Sequence, residues 1–362
     1  MRSPHARWAA AAGAVVALVV GGVGDGGLDA QGGTTGEVRV LPLRGNIYLL
    51  TGAGSNVAAS VGKDGVMLVD TGAPAMSEKL LATVRDLSRR VTAAPMAARS
   101  CVGVSQGCGW WSSSEFLPTT AGPRAPRPLS GIIYTSDDAD HIGGHDMIAA
   151  TGRTYGVRNI DGTLPGAWVL AQENATLRAP KPGQPSLATA TNETYGGAEK
   201  KLNFFNGEAV IVTHMPAAHS DADSVIYFRG SEVVVVGDIL DMTKYPVIDV
   251  ERGGTIQGEV NALNWLLDVA VVEHMMEGGT LFLPGHGRMA DSADVAYYRD
   301  MVTIMRDRVR AMAKKGMTLG QITAARPTRD YDGRFGKSTT WTPDMFVEAI
   351  YKTIDRAVAA RP

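Results

Sequence analysis

The stretch Ile132-Ile133-Tyr134-Thr135-Ser136-Asp137-Asp138-Ala139-Asp140-His141-Ile142-Gly143-Gly144 constrains this chain more than any other. A short β-rich run, Ile132 to Thr135, delivers three carboxylates and an imidazole into one tight loop, and two glycines then let the backbone turn before an expected helix. Three carboxylates within four residues repel one another unless a cation sits among them. A metal ion is the commonest cure, because oxygen and nitrogen donors at this spacing can converge on one point. The plainer reading is a solvated acidic turn before a helix N-terminus, where Asp is stabilised in any case.

Residues elsewhere in the chain favour the metal. Of seven histidines, His5 lies in a segment expected to be removed, and His141, His219 and His286 each sit where an apolar run ends. Val66-Met67-Leu68-Val69-Asp70 and Val233-Val234-Val235-Val236-Gly237-Asp238 bring carboxylates to two further strand ends. Strand ends and the loops after them form the natural ligand crevice of layered α/β proteins.

The order Asp70, Asp140-His141-Ile142-Gly143-Gly144, His219, Asp238 and Gly285-His286-Gly287 resembles the metallo-β-lactamase-fold hydrolase superfamily, over about Gly36 to Asp291. The resemblance implies an α/β chain built as an αββα sandwich, with a metal site at one edge of the two sheets. A C-terminal helical extension is expected to pack on it. The superfamily loop usually reads His-x-His-x-Asp-His, where this chain has Ser136-Asp137-Asp138-Ala139-Asp140-His141. The resemblance therefore implies a complete second-metal site at Asp140, His141, His286 and Asp238. It leaves the first site with His219, Asp138 and a shared Asp238, since Ser136 is a poor ligand. One zinc ion is the leading expectation, with a second, weaker ion near His219 and Asp138; carboxylates in place of imidazoles would also suit Mn²⁺ or Fe²⁺.

Hydrolysis at neutral pH needs a nucleophile better than water, which such a site supplies. Asp140 is both a candidate ligand and a candidate proton acceptor, and Asp138 is expected to share the proton work. Asp70 is read as orienting the loop, and Asp223 or Asp221 as accepting the second ring N–H of His219. His214 and His274 are read as structural, whereas His145 is placed to lean into the site. The segment Asp241 to Thr255 should border the pocket, with Lys244 or Arg252 available for a substrate carboxylate and Tyr245 beside them.

The leading function is hydrolysis of an ester, lactone or amide, with β-lactams as a subset. A non-catalytic ligand-binding protein with a degenerate site, and a redox enzyme with a carboxylate-rich iron site, are the alternatives. The expected partner is a small-molecule substrate. A net charge of −2, without a basic run, argues against nucleic acid or an anionic membrane surface.

Arg2 and Arg7 precede the apolar run Trp8 to Val20, and Ala30 offers a small residue for cleavage. Residues 1–30 are therefore expected to be a signal peptide, leaving no stable membrane span and placing the protein in a periplasm or outside the cell. The fold domain is expected over 36–316, with 317–362 as the helical extension. Residues 93–130, rich in Gly, Pro and Ser, read as an insertion that carries Trp110-Trp111 and both cysteines. A Cys101–Cys108 disulfide would stabilise by about 2–3 kcal/mol on loop-entropy grounds; two free thiols are the other possibility. Strands are expected at 47–51, 56–61 and 66–70, with hairpins at Asn206-Gly207 and Arg229-Gly230. Helices are expected at 75–89, 258–276, 293–315 and 343–359, the last capped by Thr342 and opened by Pro343.

Overall fold

The computed structural model describes residues 36–93, 127–155, 163–202, 204–271 and 278–355. The signal segment, most of the insertion with Cys101, Cys108, Trp110 and Trp111, and His274 lie outside the described residues.

Seven strands form the first sheet, in the order β1-β2-β3-β4-β5-β8-β9. In chain order β1 to β5 are Arg39–Pro42, Ile47–Ala53, Ser55–Gly62, Gly65–Val69 and Leu129–Ile133. A separate small ribbon pairs β6 (Arg153–Tyr155) with β7 (Thr163–Pro165), and β8 and β9 are Trp168–Gln172 and Glu193–Tyr195. The second sheet runs β10 (Glu199–Lys201), β11 (Val210–Met215), β12 (Asp223–Phe228), β13 (Val233–Asp241) and β14 (Leu281–His286), each beside the next. In each sheet the meander of antiparallel strands gives way to parallel pairing, at β4–β5 in the first and β13–β14 in the second.

The central strands read as unbroken apolar runs because they face two cores at once. In β4, Met67 and Val69 point between the sheets while Val66 and Leu68 point outward. In β13, Val233 and Val235 meet that same inter-sheet core, while Val234 and Val236 face the other way. Helices cover both outer faces. The first outer face takes α1 (Ser77–Ala93) through Leu80, Val84 and Leu87, beyond two short helices, α2 (Ala139–Ile142) and α3 (His145–Ala150). Two more short helices follow, α4 (Glu173–Leu177) and α5 (Leu187–Ala190). The second outer face takes α6 (Ile256–Val269) and α7 (Ser292–Lys314), through Val260, Leu263, Met301 and Val302. This is the expected αββα sandwich.

The C-terminal helices α8 (Leu319–Ala324), α9 (Asp332–Phe335) and α10 (Pro343–Thr353) bury Ile322, Phe335, Phe346 and Ile350 in the same core as α6 and α7. Thr342 caps α10 by accepting from the Met345 N–H, with Pro343 in the first turn. Helix α6 ends at Val269, short of the expected 276. No described helix is long and apolar enough to cross a membrane.

The sheets are tied at the end away from the strand termini by Asn206. Its side chain accepts from the Asp64 N–H (3.0 Å) and donates to Ser60 Oγ (3.0 Å) and the Gly65 carbonyl (3.2 Å), so the β10–β11 turn grips the β3–β4 turn. Its φ of 51° is a left-handed conformation that Asn adopts more readily than most residues. Asn206→Ala is expected to destabilise the protein by about 2–3 kcal/mol, because buried groups lose their partners; urea unfolding of the variant measures it.

Candidate metal centre

The site is assembled where β4, β5 and β14 run out, beside residues within β13. Asp70 follows β4 with a left-handed φ of 68°. That conformation costs about 1–2 kcal/mol for an L-residue, and three hydrogen bonds to its carboxylate offset it. Oδ1 accepts from the Thr135 N–H (2.8 Å), and Oδ2 accepts from Thr135 Oγ1–H (2.7 Å) and His141 Nδ1–H (2.8 Å). Asp70 therefore clips the acidic loop to the sheet and orients the fully buried His141 ring. Strand β3 braces the same region, where Ser55 Oγ–H donates to the Asp140 carbonyl (2.7 Å). Next to it, Asn56 Nδ2 donates to the carbonyls of Pro284 and Gly287 (both 2.9 Å) and so holds the His286 turn.

Asp238 lies within β13 and not at its end, a difference from the sequence expectation. The β13–β14 register is irregular around Gly237, whose φ is +55°. Such an irregularity re-aims a side chain without ending the strand. Gly285 makes room for it, since a Cβ there would stand 2.7 Å from Asp238 Oδ1.

Four donors meet as a result. His141 Nε2 lies 3.2 Å from Asp238 Oδ1, and His286 Nε2 lies 3.1 Å from Asp140 Oδ2 and 3.6 Å from Asp238 Oδ1. The ligand atoms of Asp140, His141 and His286 all lie within 4.8 Å of one another, close enough to reach a common ion. The protonation pattern agrees. With Nδ1–H given to Asp70, a neutral His141 aims the lone pair of Nε2 at the Asp238 carboxylate, so two acceptors face each other. Only a proton or a cation relieves that. Burial opposes charging His141, yet Asp238 and Asp70 outweigh it and raise its pKa well above the usual imidazole value. Burial likewise disfavours the Asp238 anion, but His141, His219 and His286 hold its pKa far below the carboxylate range. The donor set thus fits a divalent ion, which Asp140, His141 and His286 would hold with Asp238 beside them.

Asp138, His219 and Asp238 form a second possible group. Here His219 Nε2 stands only 2.7 Å from Asp138 Oδ2, a hydrogen-bond length. His219 Nδ1–H donates to the Val247 carbonyl (2.7 Å). Burial would lower the His219 pKa, but the Asp138 bond and the charges of Asp223, Asp238 and Asp138 push it up to about 10. Without an ion, Asp138 and His219 are thus joined by a hydrogen bond. Ser136 serves the backbone, accepting from the Asp138 N–H (3.0 Å).

Two arginines complete the surroundings. Arg252 donates from Nη2 to Asp138 Oδ1 (2.5 Å), from Nη1 to Asp137 Oδ1 (2.9 Å) and from Nε to Asp249 Oδ2 (2.6 Å). Arg178 donates to the same Asp137 oxygen (2.7 Å) and to Asp221.

Several expectations are corrected. Arg252 is spent on these carboxylates and is not free for a substrate. Lys244 lies 3.5 Å from Asp241, and its side chain is only 23% exposed. Tyr245 is fully buried, stacked on Phe346 at 4.9 Å, with its hydroxyl on Asp332 and the Thr328 carbonyl. It belongs to the core because α9 and α10 fold over its loop, a contact made from about a hundred residues away. Asp223 does not touch the His219 ring; it accepts from the Ser220 N–H (2.7 Å) and hydroxyl (3.0 Å). His145 turns away to the Tyr134 hydroxyl (2.8 Å), whereas His214 is structural as expected, donating to the Asp221 carbonyl (2.8 Å).

Residues that sequence reasoning missed are Thr135, Ser55, Asn56, the Val247 carbonyl and Arg178, all bonded to parts of the site from other elements. Glu259 on α6 was missed too: it is fully buried with neither oxygen hydrogen-bonded among the described residues, and burial, with Asp223, raises its pKa well above the usual value. A cavity of about 700 Å³ lined by Lys63, Arg127, Trp168, Lys200 and Phe205 lies at the opposite ends of the strands from this chemistry.

No family model and no curated protein matches the chain. Among solved structures it is similar to the stereoselective inverting sec-alkylsulfatase Pisa1 from Pseudomonas sp., at 13% identity and a TM-score of 0.54, over 87% of this chain and 50% of that one. This chain thus spans about half the length of that protein, the part that includes a metallo-β-lactamase domain. The chain has the metallo-β-lactamase fold. A metallo-β-lactamase from Pontibacter korlensis also aligns, at 13% identity and a TM-score of 0.47, over 74% of this chain and 99% of that one.

Asp70→Asn tests the orienting role. The amide would place N–H groups against His141 Nδ1 and turn the ring proton to Nε2, the atom aimed at the ion. Metal affinity is expected to fall about 10–100-fold, the usual effect of losing such a partner, without loss of the fold; a chelator-competition titration and circular dichroism check both parts.

Proposed function

We propose that this chain is a metal-dependent hydrolase, with one divalent ion held by Asp140, His141 and His286 beside Asp238, which leaves a coordination position for water, acting on an ester, lactone or amide bond of a small molecule. The observation that carries the reading is the grouping of Asp140, His141 and His286, whose ligand atoms lie within 4.8 Å of one another, with Asp238 Oδ1 3.2 Å from His141 and 3.6 Å from His286, all drawn from three distant parts of the sequence. A divalent ion held there lowers the pKa of water from about 15.7 toward ~7 and polarises a carbonyl or ester oxygen.

The chain's own residues would divide the remaining work. Asp70 fixes the His141 tautomer and ring plane. Asp140 is the most open of the four donors, its side chain 40% exposed, so its carboxylate can meet the nucleophile and take its proton. Asp138 is less suited to that task, since His219 and Arg252 engage its two oxygens. The mixed nitrogen and oxygen donor set supports zinc first, with Mn²⁺ and Fe²⁺ also compatible. The proposal extends to an exported protein, on the strength of the apolar N-terminal run after Arg2 and Arg7.

The test is metal analysis of the purified protein beside a hydrolysis panel of esters, lactones, β-lactams and, because of the likeness to an alkylsulfatase, secondary alkyl sulfates. About one ion per chain is expected, and chelation should abolish turnover of any accepted substrate. Asp140→Ala should lower kcat/KM by about 10²-fold or more, as loss of a positioned proton acceptor does. Hydrolysis that survives both complete chelation and Asp140→Ala would sink the reading.

A further inference from the structure

We infer that Arg252 takes the place of a second cation in this centre, holding the metal count at one. The inference rests on the one-ion reading above and names what enforces it. Asp138 occupies a position where a second ion would look for a ligand, beside His219 and the shared Asp238. Yet Arg252 Nη2 lies 2.5 Å from Asp138 Oδ1, and His219 lies 2.7 Å from Asp138 Oδ2, so both oxygens are engaged. The guanidinium is held on three sides: Nη1 reaches Asp137 and Nε reaches Asp249, while its own side chain is 14% exposed. Arg178 fixes Asp137 from the other side and also donates to the Arg252 carbonyl (3.2 Å).

An arginine cannot shed its proton to make way for a metal ion, unlike a histidine. A divalent ion entering at Asp138 would have to strip that carboxylate from a fixed fork and then sit next to the fork's charge. Four acidic side chains, Asp137, Asp138, Asp221 and Asp249, meet Arg178 and Arg252 here. The two guanidiniums thus supply half of the counter-charge that these four carboxylates need and engage both carboxylates of the altered loop, Asp137 and Asp138, so the single ion is left to the more open Asp140 side.

Stripped wild type, Arg252→Met and Arg252→Lys are titrated with Zn²⁺, and bound ions are counted by native mass spectrometry. Wild type and the lysine variant are expected to saturate at one ion per chain, and the methionine variant, of similar bulk but uncharged, at two. Two ions on wild type, or one on a folded methionine variant, would overturn the inference while leaving the hydrolase reading standing. A wild type that binds none would instead overturn the one-ion reading, and this inference with it. Should Arg252→Met fail to fold, the wild-type Arg252 Nε–H resonance decides. It should persist, slow to exchange, through excess Zn²⁺, and its disappearance beyond the first equivalent would mean that a second ion displaces the guanidinium.

Discussion

His141 stands between two carboxylates, Asp70 on one ring nitrogen and Asp238 on the other, in a position with no exposure to solvent. The rest of the centre depends on that placement. A neutral ring can donate to only one of the two, so the other face calls for a proton or a cation, and the further donors Asp140 and His286 lie beside it. The strand ends, the irregularity at Gly237 and the space left by Gly285 all serve to bring Asp238 to that face. A buried anion without compensation would cost several kcal/mol; with an ion it becomes the means of binding one.

The two halves of the acidic loop solve the same electrostatic problem differently. Asp140 and His141 face donors that lie as far apart as the ligands of a common ion. Asp137 and Asp138 face arginines and a histidine at hydrogen-bond distances. The Asp140 side of the loop is thus left to groups that could hold an ion, and the Asp137–Asp138 side has counter-charges built into the chain. That division gives the Ser-Asp-Asp substitution in the loop a physical reading other than decay.

The support around the centre comes largely from elements that carry no ligand. Strand β3 reaches the Asp140 carbonyl through Ser55 and the His286 turn through Asn56. The Val247 carbonyl sets the tautomer of His219. These are hydrogen bonds between segments that touch only after both sheets have paired, so the precision of the site depends on the sandwich being complete.

Sequence alone determined the periodic features. Continuous apolar runs ending in Asp or His announced buried strands with chemistry at their ends, and the resemblance carried by those motifs implied the αββα layering that the structure shows. The Thr342–Pro343 helix start and the Asn206-Gly207 turn were legible too, because caps and turns are set by neighbouring residues. What only the tertiary structure decided are pairings over long separations: Arg252 against Asp137 and Asp138, Val247 against His219, and Phe346 against Tyr245. An arginine or tyrosine in a loop has the same local appearance whether it will face a substrate, a carboxylate or a core. Which of these it meets depends on how separate elements pack, and no spacing along the chain encodes that.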